Sequence, residues 1–176
     1  MFKFKIISIT TLLLATLFVG AAEIKLPIKM ADVATRLQRN CPDHVKVSVD
    51  GDALRISITE AARKGGFDAT YAINLKRFAG KNMTIMIDVK LDGLSHGGLR
   101  VPGSVGRVFF GGSTQNLVST HEGWHTYIFK SIKVPGNGLL KMRITLKNLS
   151  GEIRVRNPRA KVDLPRTPKK KKKKKK

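Results

Sequence analysis

The chain has 176 residues, with 34 Lys and Arg against 12 Asp and Glu, and a formal net charge of +22. Eight of those charges are Lys169 to Lys176 and two are Lys3 and Lys5, so the body between carries +12. That charge is scattered, without the aromatic-interleaved basic clusters of single-strand nucleic-acid binders. A single cysteine, Cys41, excludes an intrachain disulfide, and the length suits about one domain.

Residues 1–22 read as a secretory signal peptide: Lys3 and Lys5, an apolar run from Ile6 to Val19, then the small residues Gly20-Ala21-Ala22. The alternative is a membrane anchor, against which the run is short for the roughly 20 residues a bilayer span needs. The expected location after cleavage is extracellular or periplasmic. No later segment is apolar enough to cross a membrane. Residues 23–43 form a lead segment in which only Ala31 to Gln38 hints at a helix.

From residue 44 the period changes to two. His44 to Val49 and Ala53 to Thr59 alternate around the turn Asp50-Gly51-Asp52, placing Leu54, Ile56 and Ile58 on one face. Glu60 to Gly66 reads as a loop. Asp68 to Leu75 points Ala69, Tyr71, Ile73 and Leu75 inward. Met83 to Leu91 is the clearest strand, with Met83, Ile85, Ile87, Val89 and Leu91 on one side. Asp92 to Ser104 reads as a long glycine-rich loop. Gly106 to Phe110 is a short strand, with Gln115 and Asn116 in the loop after it. Thr126 to Val134, Leu139 to Asn148 and Gly151 to Val155 follow, punctuated by Pro135-Gly136-Asn137-Gly138 and Asn148-Leu149-Ser150-Gly151. Val162 adds a last edge.

Eight or nine alternating strands predict an all-β antiparallel sandwich with jelly-roll connections over residues 44–164. Residues 165–176 read as a disordered Pro/Lys-rich tail. Its eight lysines would attract a polyanion such as anionic lipid, acidic polysaccharide or nucleic acid, with no specific nucleic-acid partner expected.

The pattern Gly123-Trp124-His-Thr-Tyr-Ile-Phe129, then Val134 to Gly138, then Ser150-Gly-Glu-Ile-Arg-Val-Arg-Asn-Pro-Arg159 resembles the carbohydrate-binding modules attached to bacterial cellulases, xylanases and other glycoside hydrolases. The resemblance spans about Val45 to Val162 and implies a galactose-binding-like jelly roll that binds polysaccharide without converting it. It also raises a structural calcium. No counterpart of the usual calcium-binding opening segment lies near Asp32 or Asp43, and Arg156-Asn157 stand where an aspartate often follows the last strand. No cofactor is therefore assigned.

Catalytic signals are weak. His121 to His125 matches H-E-x-x-H, but Gly123 and the β-rich Thr126 to Phe129 argue against the helix that motif requires. On an extended strand the two histidines would stand about 13 Å apart, too far for one metal. There is no G-x-S-x-G, and the scattered carboxylates show no facing pair. No catalytic and no metal-ligating residue is expected. Sugar binding needs aromatic faces for pyranose C–H groups and polar side chains for hydroxyls. Trp124 shares a strand face with Ile128, opposite the core pair Tyr127 and Phe129, which leaves it at a rim. If Val108 and Phe110 are core, Arg107 and Phe109 face out. With Gln115, Asn116, His121 and Arg100 these make the candidate sugar-binding set. The other readings are a surface adhesin working through its basic tail, and a hydrolase working through the histidine motif.

Overall fold

The computed structural model describes residues 23–39, 41–59, 67–96, 98–121 and 123–163. The signal-like leader, the 60–66 loop, Glu122 and the lysine tail lie outside the described residues.

Among the described residues eleven strands and one α-helix follow in the order β1 (Glu23–Lys25), α1 (Met30–Gln38), β2 (Val45–Asp50), β3 (Ala53–Ile58), β4 (Asp68–Asn74), β5 (Asn82–His96), β6 (Leu99–Arg100), β7 (Ser104–Phe110), β8 (Ser113–Val118), β9 (Trp124–Lys133), β10 (Leu139–Leu146) and β11 (Ser150–Val162). Every strand pairing is antiparallel. One sheet runs β2-β3-β11-β5, with β9 and β6 also paired to β5 and β1 to β11. The other runs β4-β10-β7-β8. The chain changes sheet at β3–β4, β4–β5, β6–β7, β8–β9, β9–β10 and β10–β11. Consecutive strands are thus interleaved as β3-β11-β5-β9 over β4-β10-β7-β8, which is jelly-roll topology.

Alternation drives the stacking. Leu54, Ile56, Ile85, Ile87, Val89, Phe129, Ile153 and Val155 from the larger sheet are buried against Ile73, Val108, Phe110, Leu117, Leu140 and Ile144 from the smaller. Phe110 and Phe129 meet edge to face across the layers at 4.8 Å, a geometry that suits the ring quadrupoles. The helix closes one open side. It buries Val33, Ala34 and Leu37 and packs on β2, β3 and β4. Gln38 also accepts a hydrogen bond from the Val47 N–H at 2.5 Å and donates to the Val45 carbonyl at 3.3 Å. That side chain occupies the free edge of β2, where unpaired backbone would otherwise invite another strand. Cys41 is half-buried, its thiol donating to the Leu37 carbonyl, and burial pushes its pKa up.

Four expectations need correction. The stretch from Asp92 is not one long loop. β5 continues to His96 and turns into β6, after a register shift that Gly93 absorbs at φ 61°. The glycines that suggested a loop are bulge and turn positions. Gln115 and Asn116 lie on β8, an edge strand whose polar side chains concealed it. Gly151–Val155 and Val162 belong to one strand, carried through Pro158 by a bulge with Asn157 at φ 52°. The lead segment is not apart from the sandwich, since β1 pairs with the far end of β11.

Candidate functional site

Strand register on the smaller sheet sets up the most developed surface site. Residues opposite one another across β4, β10, β7 and β8 form two rows on its outer face. The first is Thr70, Arg143, Phe109 and Thr114, and the second is Asp68, Thr145, Arg107 and Asn116. Val108 and Phe110 are fully buried, so period two turns Arg107 and Phe109 outward. Together they line a hollow of about 570 Å³, open to solvent, whose wall includes Arg107, Phe109, Asn116, Arg143, Thr145 and Lys147.

Its floor is shaped by Gly106. A Cβ there would stand 2.3 Å from the Thr145 carbonyl oxygen and 2.8 Å from Leu146 Cδ2. Only a residue without a side chain lets β7 approach β10 this closely. Phe109 is half-buried, with the Arg143 guanidinium 5.6 Å from its ring centre. Arg143 also forms a bidentate ion pair with Asp68, and its hydrogen bonds pull the Asp68 carboxyl below the usual carboxylate range. Arg107 has no carboxylate partner among the described residues.

On the outer face of the larger sheet several charges form linked pairs. Glu152 pairs with Arg55 and, at 3.1 Å, with Arg154, while Arg154 also reaches Asp50 at 3.4 Å. Asp88 accepts from Thr126 at 2.8 Å and from Asn157 and Arg159 at 3.0 Å each. Burial of Asp88 would raise its pKa, but these three donors outweigh it and the net direction is down. The cluster fixes the β11 bulge, since Asn157 lies within its register shift and Arg159 closes it.

The seven sequence candidates therefore separate. Arg107, Phe109 and Asn116 converge on the hollow. Gln115 does not face it, since its amide donates to the Ile128 carbonyl at 3.1 Å and ties β8 to β9. Trp124 lies on the larger sheet opposite Lys90, at a strand end, and the Arg156 guanidinium stacks on its ring at 3.9 Å. One indole face is thus already covered. Arg100 borders a separate cavity of about 480 Å³ beside Leu94, Gly98 and Ser119, and donates to the Ser119 carbonyl at 3.4 Å.

His121 does not stand on a continuous strand with His125. Gly123, at φ 68°, folds the chain back so that the two rings stack 3.9 Å apart. The 13 Å separation expected for an extended strand is therefore wrong. The pair packs on Tyr127, whose hydroxyl is 3.3 Å from His121 Nδ1. Burial first and the neighbouring His121 second lower the pKa of His125. No helix carries the pair. Among the described residues no cluster of three or more His, Cys, Asp or Glu could hold a metal ion. Asp88, the carboxylate beside the β11 bulge, is surrounded by donors and already neutralised by the Arg159 guanidinium. Asp88 and its neighbours therefore do not fit a calcium site.

Arg143, Thr145 and Lys147 were missed as site residues. A signal was present: Leu139 to Leu146 alternates, which sends 141, 143 and 145 outward. Nothing in the sequence alone said that β10 would lie beside β7.

No family model matches the chain, and no curated protein matches it. Among solved structures it is similar to the module CtCBM11, with 14% identity and a TM-score of 0.49, over 84% of this chain and 99% of that one. It is also similar to the module CBM27-1 of Caldicellulosiruptor saccharolyticus, solved with mannohexaose, with 12% identity and a TM-score of 0.47, over 78% and 96%. A structure of a CBM4 module gives 16% identity and a TM-score of 0.42, over 68% and 78%. These are similarities of chain path at low identity.

Proposed function

We propose that this protein is a secreted, non-catalytic binding module that holds a polysaccharide strand across the outer face of the β4-β10-β7-β8 sheet. The observation that carries the reading is the pair of cross-strand rows around Phe109. An aromatic ring stands in an open hollow with Arg107, Arg143, Asn116, Thr114 and Thr145 around it. A pyranose can rest its C–H face on the ring while its hydroxyls meet the polar neighbours. The hollow is open, which suits a polymer that enters and leaves sideways. The role would be to keep an attached or accompanying glycoside hydrolase, or a cell surface, close to the polymer.

Affinity gel electrophoresis against a panel of soluble polysaccharides tests this. At least one polymer should retard the protein, and Phe109→Ala should remove the retardation while its circular dichroism stays β-rich. Retardation by no polymer, or retention unchanged in Phe109→Ala, overturns the reading.

A further inference from the structure

The charges around the hollow narrow the class of ligand. We infer that the bound polymer is an anionic, carboxylate-bearing polysaccharide, a proposal that rests on the binding reading above. Three cations, Arg107, Arg143 and Lys147, line the hollow, and no carboxylate does. The one acid in the two rows, Asp68, is engaged by Arg143.

The larger sheet is the internal comparison. There Arg55, Arg154, Arg159 and Lys90 are each matched by a carboxylate within 4.0 Å. On the smaller sheet Arg143 is paired with Asp68, while Arg107 and Lys147 have no carboxylate within 4.0 Å among the described residues. A neutral sugar offers hydroxyls that donate as well as accept, so a site built for it gains from carboxylate and amide acceptors. Arg107, Arg143 and Lys147 weight the lining toward donors, beside the Asn116 amide and the Ser104 and Thr145 hydroxyls, which can donate or accept. Arginine's planar fork matches a carboxylate in two parallel hydrogen bonds. Arg107 stands across from Asn116 on β8 and Thr145 on β10. Phe109 follows two residues later on the same face. A uronate ring stacked on Phe109 could thus turn its carboxylate toward Arg107.

The test compares polygalacturonate and alginate, each beside its methyl ester, which keeps the backbone and masks the carboxylates. Full-length protein is used throughout, so the lysine tail contributes equally to every variant. At about 0.15 M salt the wild type should bind one acid form at least about fivefold more tightly than its ester, and Arg107→Gln should lose most of that preference. Arg107 is exposed, so this change leaves folding intact, and Arg107→Lys should restore part of the preference. Equal binding of acid and ester, or a preference unchanged in Arg107→Gln, overturns the inference while the binding reading stands. Binding of neither form, nor of any neutral polysaccharide, overturns both. Single-stranded DNA bound as tightly as the acid polymer, with the same loss in Arg107→Gln, also overturns the inference, because the face then selects charge and not sugar.

Discussion

Replacing Gly106 by alanine tests the strand packing that makes the hollow. Gly106 lies opposite Leu146 on β10 and Leu117 on β8. The added methyl would sit 2.3 Å from the Thr145 carbonyl oxygen, 2.8 Å from Leu146 Cδ2 and 3.1 Å from the Leu146 Cα. Ordinary carbon contacts need about 3.5 Å or more. Two of the three opposing atoms are backbone, which cannot swing aside as a side chain does, so β10 must move by about 1 Å. Overpacking of this kind costs about 1–3 kcal/mol. Against it, alanine restricts the unfolded chain and returns about 0.4–1 kcal/mol. The net loss is then about 1–2 kcal/mol. With a urea dependence of about 2 kcal/mol per molar, in the middle of the usual range, the unfolding midpoint should fall by roughly 0.5–1 M. Gly112 supplies the control. Nothing lies within 4 Å of a Cβ built there, so Gly112→Ala should leave the midpoint within about 0.3 M. Urea denaturation followed by tryptophan fluorescence reads both. A Gly106→Ala protein as stable as Gly112→Ala would refute the close approach of β7 to β10.

Three further outcomes follow from the same packing. Phe110→Ala removes the ring that meets Phe129 across the sheets and should cost about 3–5 kcal/mol in a urea titration; a loss under about 1 kcal/mol would mean the layers do not meet there. Asp88→Asn removes the carboxylate that Thr126, Asn157 and Arg159 share, and should cost roughly 1–3 kcal/mol at neutral pH. Because the folded state lowers the Asp88 pKa, its contribution is present above the ordinary value of about 3.9 and fades as pH falls through the folded one. The variant should therefore show a flatter acid limb, and identical limbs would refute that assignment. His125 has its pKa lowered on folding, so the unfolded chain takes up the proton first and stability declines slightly as pH falls below about 6.5; His125→Gln should remove that slope, as read by Tm between about pH 5 and 7.5.

The strands were legible wherever one face is buried and the other wet. Leu54, Ile56 and Ile58 on β3, and Met83, Ile85, Ile87 and Val89 on β5, recur at every second position, and all of them are buried. Legibility failed where the chain bends. Gly93 and Asn157 sit at bulges, and a bulge resets the alternation that reveals a strand. It failed again on β8, an edge whose Ser-Thr-Gln-Asn carries little β propensity and is held instead by its pairing with β7. The site was half legible for a related reason. Period two correctly turned Phe109 and Arg107 outward from Val108 and Phe110, but it cannot name neighbours. Arg143 and Thr145 come next to them only because β10, some 35 residues downstream, inserts between β4 and β7. Trp124 was attractive as the sole tryptophan, yet the guanidinium of Arg156, which occupies one face of its ring, comes from a different strand.

Amide exchange monitored by NMR during titration with a retained polysaccharide addresses the ligand face most directly. Protection and shift changes should concentrate at residues 104–110, 113–118 and 139–146, with the largest near Arg107 and Phe109. Changes confined to the Trp124 edge of β9, or to the cavity beside Arg100, would contradict the placement of the polymer on the smaller sheet.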